Sequence, residues 1–186
     1  MLVLIKGAGD LATGAAVRLY RAGIPVVMTE VAQPTAVRRT VAFSQCMYDG
    51  AAQVEGISAR RAEDAGAARR ALERGEVPVL CDPAAAILGE LPFDGVVDAI
   101  LAKRNLGTAI TDAPVVLALG PGFTAGVDCH GVVETMRGHN LGRLLTQGSA
   151  APNTGVPGDV GGYTTQRIIR APADGALEPL AAIGQR

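Results

Sequence analysis

Apolar and polar positions along the first 126 residues switch between two periods. "LVLIKG" (2–7) is an apolar run of strand length, and "DLATGAAVRLYRAG" (10–23) then sets Leu11, Ala15, Leu19 and Ala22 at helical spacing before Gly23. "IPVVMTE" (24–30) predicts a second strand, and "PTAVRRTVAFSQCMYDG" (34–50) a helix opened by Pro34-Thr35 and ended near Gly50. "ARRAEDAGAARRALERG" (59–75) predicts an amphipathic helix with Ala65, Ala68 and Leu72 on one face. Three more strands are expected at "VPVLCD" (77–82), "GVVDAILA" (95–102) and "APVVLALG" (113–120). Strands apolar on both faces, separated by helical or irregular crossovers, are what a parallel sheet covered on both sides requires. The expected fold is α/β, a Rossmann-like, doubly wound, mainly parallel sheet over residues 1–126.

Beyond that point the texture becomes β-rich, and residues 127–186 are expected to form a C-terminal extension. "HGVVETMRGHNLGRLLTQG" predicts two short strands around a turn at Gly138-His139-Asn140. "GSAAPNTGVPGDVGG" (148–162) is rich in Gly, Pro and Asn over a length that marks a linker or part of a site. The tail, "TTQRIIRAPADGALEPLAAIGQR", looks like the opening half of a barrel-sandwich unit with no second half. Since a half barrel leaves unpaired edges, the expectation is a truncated chain or a partner that completes it.

Composition narrows the function. With 186 residues, 48% of them hydrophobic, the chain can bury one sizeable core of Val, Ile, Leu and Ala. A net charge of -1 with 3% aromatics and no Trp lacks the footprint of nucleic-acid binding. The N-terminus carries no signal-peptide pattern and no apolar run approaches a bilayer span, so a cytoplasmic protein without membrane contact is expected. Cys46, Cys81 and Cys129 have no CxxC spacing and are expected to be buried, inert thiols.

Candidate chemistry starts at "IKGAGDLATG" (5–14), which fits G-x-G-x-x-A through Gly7, Gly9 and Ala12 between a strand and a helix, with Glu30 ending the next strand. This is the context of a dinucleotide turn: Gly7 for the bend, Gly9 for close approach of a pyrophosphate, Ala12 for helix packing, and helix amides for the phosphates. Asp10 cuts across it, since its carboxylate would repel a nearby phosphate: it is either the helix N-cap or a selector for a ligand that is not NAD. Glu30 would accept ribose hydroxyls, or be a solvated strand-end acid. Arg38 and Arg39 offer guanidinium forks to phosphate or carboxylate, or form a charged solvent face.

A second glycine loop, "LGPGFTAG" (119–126), with Gly120 and Gly122, and the polar loop "LAKRNLGT" (101–108), with Lys103, Arg104 and Asn105, also follow strands. Loops on one sheet edge point to a crevice at a switch point and a candidate anion site. Glu134, Arg137 and Arg143 either line a site with the 148–162 loop or form a solvated hairpin. No GxSxG, HExxH or Cys/His dyad is present, His130 and His139 are the two histidines, and no metal site is expected.

The strings "IKGAGDLATGAAVRLYRAG", "MTEVAQPTAVRRTVAFSQCMYDG", "DAILAKRNLGTAI", "LGPGFTAGVD", "VVETMRGHNLGR" and "PNTGVPG" occur in order along nearly the whole chain. In these the sequence resembles the YqeB-type family, accessory proteins of selenium-dependent molybdenum hydroxylase systems. More distantly it is similar to the Rossmann-like domain of xanthine dehydrogenase maturation factors. The resemblance implies an accessory role in maturing a molybdenum enzyme, with a molybdopterin-type cofactor or a nucleotide as ligand. It implies as partners the molybdenum hydroxylase apo-enzyme or other maturation proteins, and leaves homo-oligomer formation open. An NAD(P)-dependent oxidoreductase and a Rossmann-shaped scaffold are the competing expectations.

Overall fold

The computed structural model of the chain describes residues 1–156, 158–167 and 169–185. Pro157 of the Gly/Pro/Asn-rich stretch, and Ile168 and Arg186 of the barrel-sandwich-like tail, lie outside the described residues. Contacts divide the chain into two units, 1–153 and 154–186.

The first unit is an α/β structure on one nine-stranded, mostly parallel mixed sheet. Its strands are β1 (Val3–Lys6), β2 (Val26–Glu30), β3 (Ala51–Val54), β4 (Ile57–Ala62), β5 (Val77–Cys81), β6 (Gly95–Asp98), β7 (Val115–Leu119), β8 (Gly131–Val133) and β9 (Leu144–Leu145). They lie in the order β3-β4-β5-β2-β1-β6-β7-β8-β9. All neighbours are parallel except the edge pairs β3–β4 and β8–β9. From β1 the chain fills one side first, with β2, the edge hairpin β3–β4 and then β5 between them, and afterwards the other side through β6, β7, β8 and β9.

Side chains of consecutive strand residues point to opposite faces, and both faces are apolar. Val3 and Ile5 pack with helix α1 (Asp10–Arg21) and with Cys46 and Met47 of the single-turn helix α2 (Cys46–Asp49). Leu4 faces the other way, in a cluster with Ala65 and Ala68 of α3 (Ala65–Glu73). Asp64 caps α3 by accepting the Ala67 N–H at 2.6 Å.

Two helix expectations are corrected. Residues 34–50 are not a continuous helix: they form irregular chain, the 3-10 turns Arg39–Val41 and Phe43–Gln45, and α2. Phe43 N–H donates to Thr13 Oγ1 and Ser44 N–H to Ala8 O, which ties this stretch beneath the turn after β1. Residues 59–62 are strand rather than the first turn of a helix, because β4 pairs both β3 and β5. The β3–β4 hairpin turns through Glu55 (φ +50°) and Gly56 (φ +80°), the two left-handed positions of a tight hairpin turn.

In the second unit the described residues hold a β-bridge between Val160 and Tyr163 and a 3-10 turn at Thr165–Arg167. Among the described residues, no helix is long and apolar enough to cross a membrane.

Candidate ligand-binding cleft

The carboxyl ends of β1, β2 and β6 frame a cleft of about 360 Å³, at the place where the sheet's building direction reverses. Its two glycines have separate tasks. Gly7 turns the chain at φ +94°, and a Cβ there would lie 2.9 Å from Ala99 O and 3.0 Å from Ile100 Cα, so the backbone after β6 rests directly on it. Gly9 is the N-cap of α1 with φ -65° and ψ -176°, and a Cβ there would meet nothing within 4 Å. Ala12, fully buried, seats α1 on the sheet.

The first helical bond of α1 runs from Thr13 N–H to Gly9 O at 2.8 Å, so the N–H groups of Asp10, Leu11 and Ala12 leave the helix's open end. Asp10 does not cap them: its carboxylate pairs with Arg38 at 2.5 Å, and the N-cap is Gly9. Glu30 holds the glycine turn, Oε2 accepting the Ala8 N–H at 3.0 Å and Oε1 the Val31 N–H at 2.8 Å. Leu11, Val31, Pro34, Ile100 and Leu101 supply apolar lining. The cleft therefore combines open amides with apolar walls.

Gly7, Gly9, Asp10, Ala12 and Glu30 thus share one cleft, with Arg38 joined through Asp10. Arg39 starts an exposed 3-10 turn outside its lining. Lys103, Arg104, Asn105, Gly120 and Gly122 lie together but also outside the lining. A Cβ on Gly122 (φ +108°) would sit 2.5 Å from Arg104 N, and one on Gly120 (φ +78°) 2.6 Å from Thr135 Oγ1, so both glycines permit internal packing. Lys103 Nζ donates to Asn153 Oδ1 at 3.0 Å, and Asn105 spends its amide on the backbone of Gly107 and Thr108.

Glu134 is 6% exposed, with Oε1 accepting the Met136 N–H at 2.7 Å and Oε2 the Ala151 N–H at 2.8 Å. The Ala151 and Met136 amides hold its carboxyl below the ordinary range, and the bonds fasten residues 134–136 to the chain at 151. Burial pushes the Cys46 thiol up to about 12 and also raises that of Cys129. Cys81, at the end of β5, is exposed, which corrects its expected burial: the last residue of the strand projects past the apolar cluster. Among the described residues no three His, Cys, Asp or Glu side chains converge as metal ligands would.

Two further groups support the cleft, the second of them not read from the sequence. Thr13, fully buried, donates to Ala8 O at 3.2 Å and accepts the Phe43 N–H at 2.9 Å, so it fixes the glycine turn from below. Lys6, Asp98 and Thr108 form a buried polar group at the ends of β1 and β6. The signal for it was a charge closing each of two apolar strands.

The chain is similar to a curated protein of Escherichia coli strain K12, described as "Uncharacterized protein YqeB": 55% of positions are identical over 183 residues. The match covers 98% of this chain, and the chain spans 34% of that protein's length. No family model matches the chain, and no solved structure matches it.

Proposed function

We propose that this chain is the ligand-binding part of a YqeB-type accessory protein in the maturation of a selenium-dependent molybdenum hydroxylase. In this reading the cleft takes a phosphate-bearing pterin or nucleotide, a molybdopterin-type cofactor being the most specific form. The observation that carries it is the position of the cleft. The parallel strands β5-β2-β1-β6-β7-β8 reverse their direction of build at β1, and ligands of open parallel sheets bind beyond the strand ends at such a reversal.

The residues present fit such a ligand. Gly9 leaves open the space a Cβ would occupy, and the amides of Asp10, Leu11 and Ala12 are placed to receive a phosphate. Arg38 offsets the Asp10 charge that would otherwise repel it. Leu11, Val31, Pro34 and Ile100 would cover the ring system. Binding and shielding are what these side chains supply, consistent with carriage or handover of a cofactor.

Glu30 at the end of β2 favours a second reading, an NAD-binding oxidoreductase, since an acid there suits a ribose diol. Mass spectrometry of small molecules released from the purified protein, followed by titration with NAD, NADP and a molybdopterin nucleotide, separates the two. Uptake of the pterin nucleotide supports the proposal. NAD binding with substrate-dependent reduction transfers the assignment to the oxidoreductase, and no binding at all overturns both.

A further inference from the structure

Strands β1 and β6 end on two charges in register, Lys6 beside Asp98, on the face that carries Leu4 and Val96. They are 4% and 2% exposed, and Thr108, 3% exposed, stands between them. Lys6 Nζ donates to Thr108 Oγ1 at 2.6 Å, and that hydroxyl donates to Asp98 Oδ2 at 2.6 Å. One hydroxyl therefore acts as acceptor toward a buried cation and donor toward a buried carboxylate. Serine can reproduce this and valine cannot.

The group reaches from the core into the cleft. Asp98 Oδ1 accepts the Ile100 N–H at 3.2 Å, at the start of the loop after β6. At its far end Asn105 Nδ2 donates to Thr108 O, while Asn105 Oδ1 accepts the Gly107 and Thr108 N–H groups, each at 2.8 Å. Between these anchors Leu101 and Lys103 are held at φ +59° and +63°, a conformation that costs a residue with a side chain energy and persists when its surroundings enforce it. Ala99, Ile100 and Leu101 line the cleft, and Ala99 and Ile100 rest on Gly7.

We propose that Thr108 is a positioning residue: with Lys6 and Asp98 it clamps the 99–108 loop in its left-handed form and so sets the β6 wall of the cleft. The functional half of this claim rests on the ligand reading above, and the conformational half stands without it. The test is hydrogen exchange on the 186-residue chain, with a molybdopterin nucleotide as the binding probe, in wild type, Thr108→Ser, Thr108→Val and Asn105→Ala. In Thr108→Val the amides of residues 100–108 exchange roughly 10- to 100-fold faster and the molybdopterin nucleotide binds about tenfold more weakly, while Thr108→Ser restores both. If Thr108→Val does not fold, Asn105→Ala carries the test, since Asn105 is only partly buried and its loss frees the same loop. Unchanged exchange in the variants that fold, or equal acceleration in Thr108→Ser and Thr108→Val, overturns the clamp. Where wild type takes up no molybdopterin nucleotide, the ligand reading fails, and the exchange pattern alone decides for or against the clamp.

Discussion

Gly7 and Gly9 share one turn, yet substitution should separate them sharply. Alanine at position 7 would combine a left-handed backbone with a Cβ 2.9 Å from a carbonyl oxygen, so Gly7→Ala should cost about 2–4 kcal/mol. Alanine at position 9 meets open space in an ordinary conformation and loses only part of the cap preference, about 1 kcal/mol or less. Denaturant melts of the two variants measure the difference, and equal losses would contradict the assigned roles. The thiols diverge in the same way. A thiolate reagent should modify exposed Cys81 in the native protein and spare Cys46 and Cys129, whose thiols burial holds in the protonated form. Mass mapping of the labelled sites decides it.

At the scale of elements, Glu134 joins the β8–β9 hairpin to the segment at Ala151, and its lowered carboxyl pKa fixes the sign of a pH effect. The stabilisation is fully present above the unfolded value of about 4.3 and is lost as pH falls through the folded value below it. Unfolding measured from neutral to acid pH should show wild type losing more stability than Glu134→Gln, whereas parallel curves would contradict this. The apolar strands and α1 were legible because burial on one or both faces writes a period into the sequence. The β3–β4 hairpin was not. Ala59, Arg60 and Arg61 favour helix by local propensity, but Arg60 is held by Glu76, at 2.9 Å, and Arg61 by the Met47 carbonyl at 3.1 Å. Likewise Thr13 and Ala8 draw Phe43 and Ser44 out of the helix that their neighbours predicted. In the cleft the first glycine turn was legible from its strand-to-helix context. The use of Gly120 and Gly122 for internal contact was not, since the groups that each approaches lie well away in sequence.

Across the whole first unit, the two apolar faces and the strand order put one open cleft at the reversal beside β1. Crossovers from β6 to β7 and from β7 to β8 run through loops instead of long helices, and Phe123, Ala125 and Cys129 from the second of these loops complete one apolar face. That explains the density of glycine turns in this half, and it leaves α1 as the helix whose N-terminus opens on the cleft. In the proposed reading a phosphate-bearing ligand enters there, past Gly9. Calorimetric titration of wild type and Gly9→Val with a molybdopterin nucleotide tests it most directly, because the added isopropyl group would fill the ligand's space while the backbone keeps an allowed conformation. Binding by wild type that falls at least about tenfold in Gly9→Val, with the melt of the variant within about 1 kcal/mol, is the predicted result. No binding by wild type, or equal binding by both proteins, would contradict it.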